Sequence, residues 1–152
     1  MAIQTHSYPI AIQWQGGREG SGSAKAEHSG TETSLRVPSE FGGPGGATNP
    51  EELLTTAIGG CYSITFGIVA ASRRLPVVDV KTEVVGEVEQ NGISFVYKKV
   101  TLKPRITVEA SATDEVIAQT AEFAHKADAY CIVTNAVRGK VEIVVEPEVV
   151  RA

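Results

Sequence analysis

The stretch Asn49-Pro-Glu-Glu-Leu-Leu-Thr-Thr-Ala-Ile-Gly-Gly-Cys61-Tyr-Ser-Ile-Thr-Phe-Gly-Ile-Val-Ala-Ala-Ser72-Arg-Arg-Leu-Pro76 decides how the rest of the chain is read. Asn49 suits an N-cap, because its side-chain oxygen can accept one of the orphaned N–H groups of a first helical turn. Pro50 fits the first helical position, and Glu51 and Glu52 suit the positive end of the helix dipole. Leu54, Ala57, Ile58, Cys61, Ile64, Thr65, Ile68 and Ala71 then recur at three- and four-residue spacing, the signature of a helix. Arg73 and Arg74 complement the negative end, and Pro76 stops the run. From Leu53 to Ser72 there are twenty residues without a charge, which is long enough to span a bilayer. Eight of those twenty are Thr, Ser or Gly, and this content argues against transfer into hydrocarbon. The stretch therefore reads as the central, buried helix of a soluble protein. A helix so poor in charge must be covered on most sides. A chain of 152 residues would struggle to do that alone, which suggests a partner subunit.

Outward from the helix, the flanks read as sheet. Before it lie short runs, Ile10-Ala11-Ile12-Gln13-Trp14 and Ser34-Leu35-Arg36-Val37, with Gly-rich turns at Gly16-Gly17 and Gly20-Ser21-Gly22. Such runs between glycines indicate antiparallel strands. Phe41 to Thr48 is a Gly-rich loop. After the helix, Val77 to Gln90 and Ile93 to Glu109 alternate about Asn91-Gly92, a strong hairpin signal. A second helix opens near Ser111, where Ser-Ala-Thr-Asp114 is close to a capping box, and runs through Val116, Ile117, Thr120, Ala121 and Ala124. Cys131 falls at or just past its end, and Gly139 to Pro147 closes the chain as a strand. The expected fold is one α+β domain over residues 1–152: antiparallel sheets with a long central buried helix and a second helix.

Composition narrows the chemistry. Hydrophobic residues at 42% are enough for a core, and a net charge of −4 gives no footprint for a phosphate backbone. No nucleic-acid or membrane partner is expected. The N-terminus has neither a basic start nor an apolar core segment, so no signal peptide is read and the location is taken as cytoplasmic. Two cysteines exclude a disulfide-rich scaffold and a four-thiolate zinc site. The glycines before the helix invite a phosphate-loop reading, but no Lys-Ser/Thr follows them, and Glu51-Glu52 put negative charge where a phosphate would bind. His6, His28 and His125 lack metal-ligand spacing, and no Gly-x-Ser-x-Gly is present.

The cysteines remain. A single Cys on an apolar helix face is ordinarily a small buried hydrophobe. Reactivity at Cys61 requires a lowered pKa, and a mid-helix position gains little from the dipole. A cation must come from elsewhere, and an Arg held by a carboxylate would serve.

Four groups of residues carry a resemblance. Gly16-Gly17-Arg18-Glu19-Gly20, then Gly45 to Leu54 through Asn49-Pro50-Glu51, then Gly60-Cys61-Tyr62-Ser63 resemble, in order and spacing, the OsmC/Ohr family of thiol peroxidases. Ala129-Tyr130-Cys131-Ile132-Val133-Thr134-Asn135-Ala136 resembles that family's second cysteine motif. The resemblance implies a peroxidase acting on organic hydroperoxides, and on hydrogen peroxide less well. Cys61 would be the peroxidatic thiolate and Cys131 the resolving thiol, forming an intramolecular disulfide. Arg18 would stabilise the Cys61 thiolate, with Glu51 holding the guanidinium. A dithiol such as a lipoyl protein would reduce the bond, and no metal, haem or flavin is implied. One departure stands out: Ile132 occupies the place after the second Cys where the family commonly carries Pro.

Helix geometry adds a constraint. Glu51 and Cys61 lie ten residues apart on one helix, about 15 Å along its axis. An Arg tied to Glu51 would hardly reach Cys61 of the same chain. Antiparallel pairing of this helix with its copy would bring them together, and Gly59, Gly60 and Gly67 would permit close approach. The expectation is a homodimer with composite sites, Arg18 and Glu51 from one chain and both cysteines from the other, in keeping with the intertwined dimers the resemblance implies. Two other readings stay open: a non-enzymatic thiol redox sensor or small-molecule binding protein on the same fold, and a structural dimer with inert core cysteines.

Overall fold

A computed structural model describes residues 1–152. The chain divides into two compact units, residues 1–53 and 54–152.

The first unit holds a three-stranded antiparallel sheet in the order β1 (Ile10–Gln15), β2 (Ser21–Ala26), β3 (Glu32–Leu35). Of Gly20-Ser21-Gly22, expected to lie in a turn, only Gly20 does so, while Ser21 and Gly22 open β2. Gly22 pairs with Trp14 across the ladder, and a Cβ there would stand 2.8 Å from the indole ring. The glycine is required by packing rather than by a bend. The actual turn is at residues 16–20, where Gly16 takes φ +87°, a conformation that favours glycine. The third strand also ends two residues earlier than expected, at Leu35. A short 3₁₀ turn at Ser39–Phe41 and the Gly-rich loop lead to α1 (Pro50–Ser72).

The start of α1 is built as its sequence suggests. Asn49 is buried, and its Oδ1 accepts the Glu52 N–H at 2.8 Å. Thr48 Oγ1 donates to the Glu52 carboxylate at 2.7 Å. The far end closes differently from a simple proline stop. The Leu75 N–H donates to the Ala70 carbonyl (2.9 Å) and the Arg74 N–H to that of Ala71 (3.1 Å). This is the Schellman arrangement, and it puts Arg74 in the left-handed region at φ 54°.

In the second unit, β4 (Val77–Asn91) and β5 (Ser94–Val108) form one long antiparallel hairpin. Its turn residues are Gly92 and Ile93, one position later than expected, with Gly92 at φ +60°. Then come α2 (Asp114–Lys126), a 3₁₀ turn at Ala127–Tyr130 and α3 (Ile132–Val137). The cap of α2 is Thr113, whose hydroxyl accepts the Val116 N–H at 3.3 Å, and not Ser111. The single closing strand is in fact two, β6 (Glu142–Val145) and β7 (Glu148–Arg151). Both run parallel to β5, so this sheet is mixed and not purely antiparallel. The crossover through α2 and α3 returns the chain in the β5 direction, which a tight hairpin could not do. Pro104 on β5 and Pro147 between β6 and β7 fall at the level where this outer ladder is interrupted, as residues without an N–H must.

The core of this unit is formed by Ile58, Tyr62, Phe66 and Ala70 of α1 against Val100, Leu102, Ile106 and Val108 of β5, with Ala124 and Ala127 behind. By length and composition α1 could cross a membrane. Its inner face packs into this core. The opposite face is open in the single chain: Ile64 and Ile68 are 67% and 65% exposed, with Ala57, Gly60, Gly67 and Ala71 beside them. The glycines of this helix divide. Gly59 is buried against β4, where a Cβ would lie 2.5 Å from Val84 Cγ2, so its smallness serves a contact within the chain. Gly60 and Gly67 have open space around them.

Candidate active site

Cys61 sits in the fourth turn of α1, half-buried, close in sequence to two fully buried aromatic residues. The Tyr62 and Phe66 rings stack at 6.5 Å, and the Tyr62 hydroxyl donates to the Ala124 carbonyl at 2.8 Å. Burial pushes the Tyr62 phenol well above its ordinary value, and the charge of Asp128 pushes it the same way. At every physiological pH this phenol is therefore a neutral donor that ties α1 to the end of α2.

Cys131 is presented by quite different means. The chain leaves α2 through the 3₁₀ turn, and Cys131 takes extended backbone angles as the N-cap of α3. Its Sγ accepts the Thr134 N–H at 3.3 Å, the role an Asn or Ser oxygen usually plays. The residue is 0% exposed. A disulfide joins Cys61 and Cys131, with Cα atoms 5.9 Å apart, across a sequence separation of 70. The two thiols that the sequence left apart are thus one chemical unit, and they differ in access. A reagent from solvent meets Cys61 first.

Around Cys131 lies a set of polar residues that sequence reasoning missed. Asp128, Asn135 and Arg138 are linked by side-chain hydrogen bonds across the turn. Their signal was faint: an acid three residues before the Cys, an amide four after it and an arginine three beyond that. The contact of the Tyr62 hydroxyl with Ala124 could not be foreseen from spacing either.

The other two expected site residues belong to the first unit. Arg18 lies in the turn between β1 and β2, and its Nη1 donates to the Phe41 carbonyl at 2.8 Å. Gly42 provides the room, since a Cβ there would stand 2.9 Å from that nitrogen. Glu51 lies half-buried in the first turn of α1. This loop carbonyl is one fixed point for the guanidinium.

The family model described as OsmC-like protein matches residues 43–146. A relative from Bacillus subtilis (strain 168), the uncharacterized protein YmaD, is 31% identical over 144 residues, covering 95% of each chain. Among solved structures, the organic hydroperoxide resistance protein OsmC from Legionella pneumophila superposes with a TM-score of 0.75 at 24% identity, over 95% of this chain and 99% of that one. An OsmC-like protein of unknown function from Vibrio cholerae gives 0.80 at 18% identity, over 95% and 100%. The organic hydroperoxide resistance protein OhrB of Bacillus subtilis gives 0.67 at 20%, over 92% and 98%. At these identities the solved structures speak for the fold alone.

Proposed function

The chain belongs to the OsmC-like protein family, and from that premise we propose that it is a thiol-dependent peroxidase reducing organic hydroperoxides, with hydrogen peroxide a poorer substrate. The observation that carries this reading is the Cys61–Cys131 pair, one sulfur on a half-buried residue and the other fully enclosed. The accessible thiolate is the one that attacks. The Cys61 sulfur displaces an alkoxide from the O–O bond; it is oxidised to a sulfenic acid and the peroxide is reduced to an alcohol. The Cys131 thiolate then attacks the sulfenic sulfur, the S–S bond forms, and hydroxide leaves and takes up a proton as water. A dithiol, such as a lipoyl protein, restores both thiols by exchange.

In this reading Arg18 lowers the pKa of Cys61 and orients the peroxide, and Glu51 fixes the guanidinium, both supplied by a second copy. Support comes from the bare face of α1. Ile64 and Ile68 form an exposed apolar strip that a second copy would cover, and Gly60 and Gly67 leave room for an antiparallel copy. The two compact units then make a single OsmC-like domain over residues 1–152, working as a homodimer in the cytoplasm.

The test is the thiol state after one equivalent of cumene hydroperoxide. Wild type should lose both thiols and form an intramolecular disulfide. Cys131→Ser should stop at a sulfenic acid that dimedone traps, and Arg18→Ala should slow the first step by on the order of a hundredfold. Equal peroxide consumption by wild type and Cys61→Ser would remove the enzymatic reading. Peroxide oxidation as fast in Arg18→Ala as in wild type would favour a passive redox sensor. Sedimentation of wild type as a monomer at micromolar concentration would remove the composite site.

A further inference from the structure

Cys131 caps a helix of only six residues, Ile132–Val137. A helix that short has no stability of its own in water, because nucleation costs more than one turn returns. Something other than helix propensity must hold the Cys131 sulfur where α1 can meet it. The hydrogen bonds around it show what does. The Cys131 N–H donates to the Asp128 carbonyl at 3.1 Å, and the Asn135 N–H donates to the Cys131 carbonyl at 3.0 Å. Asn135 Nδ2 donates to the Ala129 carbonyl at 2.9 Å. Arg138 closes the ring: Nε donates to Asn135 Oδ1 at 2.9 Å, and Nη2 donates to Asp128 Oδ2 at 3.0 Å and to the Asp128 carbonyl at 3.3 Å. One guanidinium therefore ties the chain three residues before the cysteine to the chain four residues after it.

We propose that Arg138, through Asp128 and Asn135, is a positioning residue that keeps the Cys131 turn formed when the disulfide is open, and so sets how readily Cys131 closes onto Cys61. This rests on the peroxidase reading for its biological purpose but not for its physics. Three features favour the assignment over an ordinary surface salt bridge. The Asp128 side chain is only 16% exposed, so its charge is poorly served by water and better served by a fixed donor. The planar fork reaches an amide and a carboxylate from two separate nitrogens, where a lysine has a single one. A second tether approaches the same place from the opposite side, where the hydroxyl of Tyr62, the neighbour of Cys61, is bonded to Ala124. With the disulfide open, the Cys61 segment would still be anchored to the end of α2 and the Cys131 segment to the 3₁₀ turn that follows it. Closure is then a reaction between pre-placed groups, and loss of one anchor lowers their effective concentration.

The experiment titrates the Cys61–Cys131 dithiol against a glutathione redox buffer in wild type, Arg138→Met, Arg138→Lys and Asn135→Ala, with circular dichroism of each oxidised form. No peroxide is involved, so failure of the peroxidase reading would leave this result standing, and the reverse holds too. The expected result is an equilibrium constant for disulfide formation about tenfold lower in Arg138→Met, which is about 30 mV for a two-electron couple. Asn135→Ala should shift the same way, and Arg138→Lys should fall between Met and wild type. In a parallel peroxide assay, the first thiol loss should keep its wild-type rate in Arg138→Met while dimedone-trapped sulfenic acid increases. A constant within twofold of wild type, in whichever of Arg138→Met and Asn135→Ala keeps wild-type dichroism, would overturn the proposal. A lowered melting temperature with an unchanged constant would overturn it as well, since it would show Arg138 to be structural only.

Discussion

Cys61 rides on a helix of 23 residues whose inner face runs through the core, whereas Cys131 caps a helix of six. The first is positioned by apolar burial: Ile58, Tyr62 and Phe66 have no exposed surface, and the helix can move only if the core moves with it. The second is positioned by directional polar contacts, which hold a short segment at low cost but are lost one at a time. The contrast is between one sulfur seated by the core and another held by a few contacts that can be removed singly. It also separates stability from redox behaviour, because changes near Cys61 should be felt by the whole fold and changes near Cys131 mainly by the bond.

The sharpest way to break this comparison is Phe66→Ala. Removing a fully buried ring should cost about 3–5 kcal/mol in a urea denaturation, with Cys61 losing its seat as the core loosens. Gly59→Ala comes next. Its Cβ would be forced against Val84, and overpacking of this kind should cost about 1–3 kcal/mol, with far-UV dichroism unchanged. Tyr62→Phe leaves the Ala124 carbonyl without its donor and should cost about 1–2 kcal/mol.

The same tyrosine has a pH signature. Its folded pKa lies above the ordinary value of about 10, so its contribution is complete below that pH. As pH rises past 10 the unfolded chain loses the proton first, and stability should fall by up to about 1.4 kcal/mol per unit. Tyr62→Phe should flatten that slope in melts between pH 9 and 11. The smallest effect expected is a gain. Arg74→Gly removes a side chain from the left-handed region at the end of α1 and should raise stability by about 0.5–1 kcal/mol, read as a higher melting temperature. A loss instead would mean that the Arg74 side chain makes a compensating contact.

The same contrast explains what could be read from the sequence. Helix α1 was legible because its determinants repeat: the cap at Asn49, the apolar period and the proline beyond its end all agree. The long hairpin was legible for a similar reason, with alternation on both arms and a turn glycine between them. The parallel return of β6 and β7 was not. Parallel pairing leaves no local mark, and the two prolines that split the outer ladder are far apart in the chain. The Cys131 turn escaped because it rests on single hydrogen bonds from Asp128, Asn135 and Arg138, which have no period to detect. Arg18 and Glu51 were found by resemblance to a family and not by pattern. The loop carbonyl that holds Arg18 could be learned only from the fold.

The 70-residue separation of the two sulfurs has one more effect, which falls on the denatured chain and not on the native one. The bond closes a loop that takes in the C-terminal half of α1, the whole β4–β5 hairpin and all of α2, and so removes a large share of the disorder available after unfolding. Loop-closure entropy puts this at about 4 kcal/mol for a ring of that size. Opening the bond enlarges the denatured ensemble by that much while leaving the folded packing nearly as it was. The oxidised chain is therefore the harder one to unravel, and the two electrons that reset the thiols also set how far the molecule stands from unfolding.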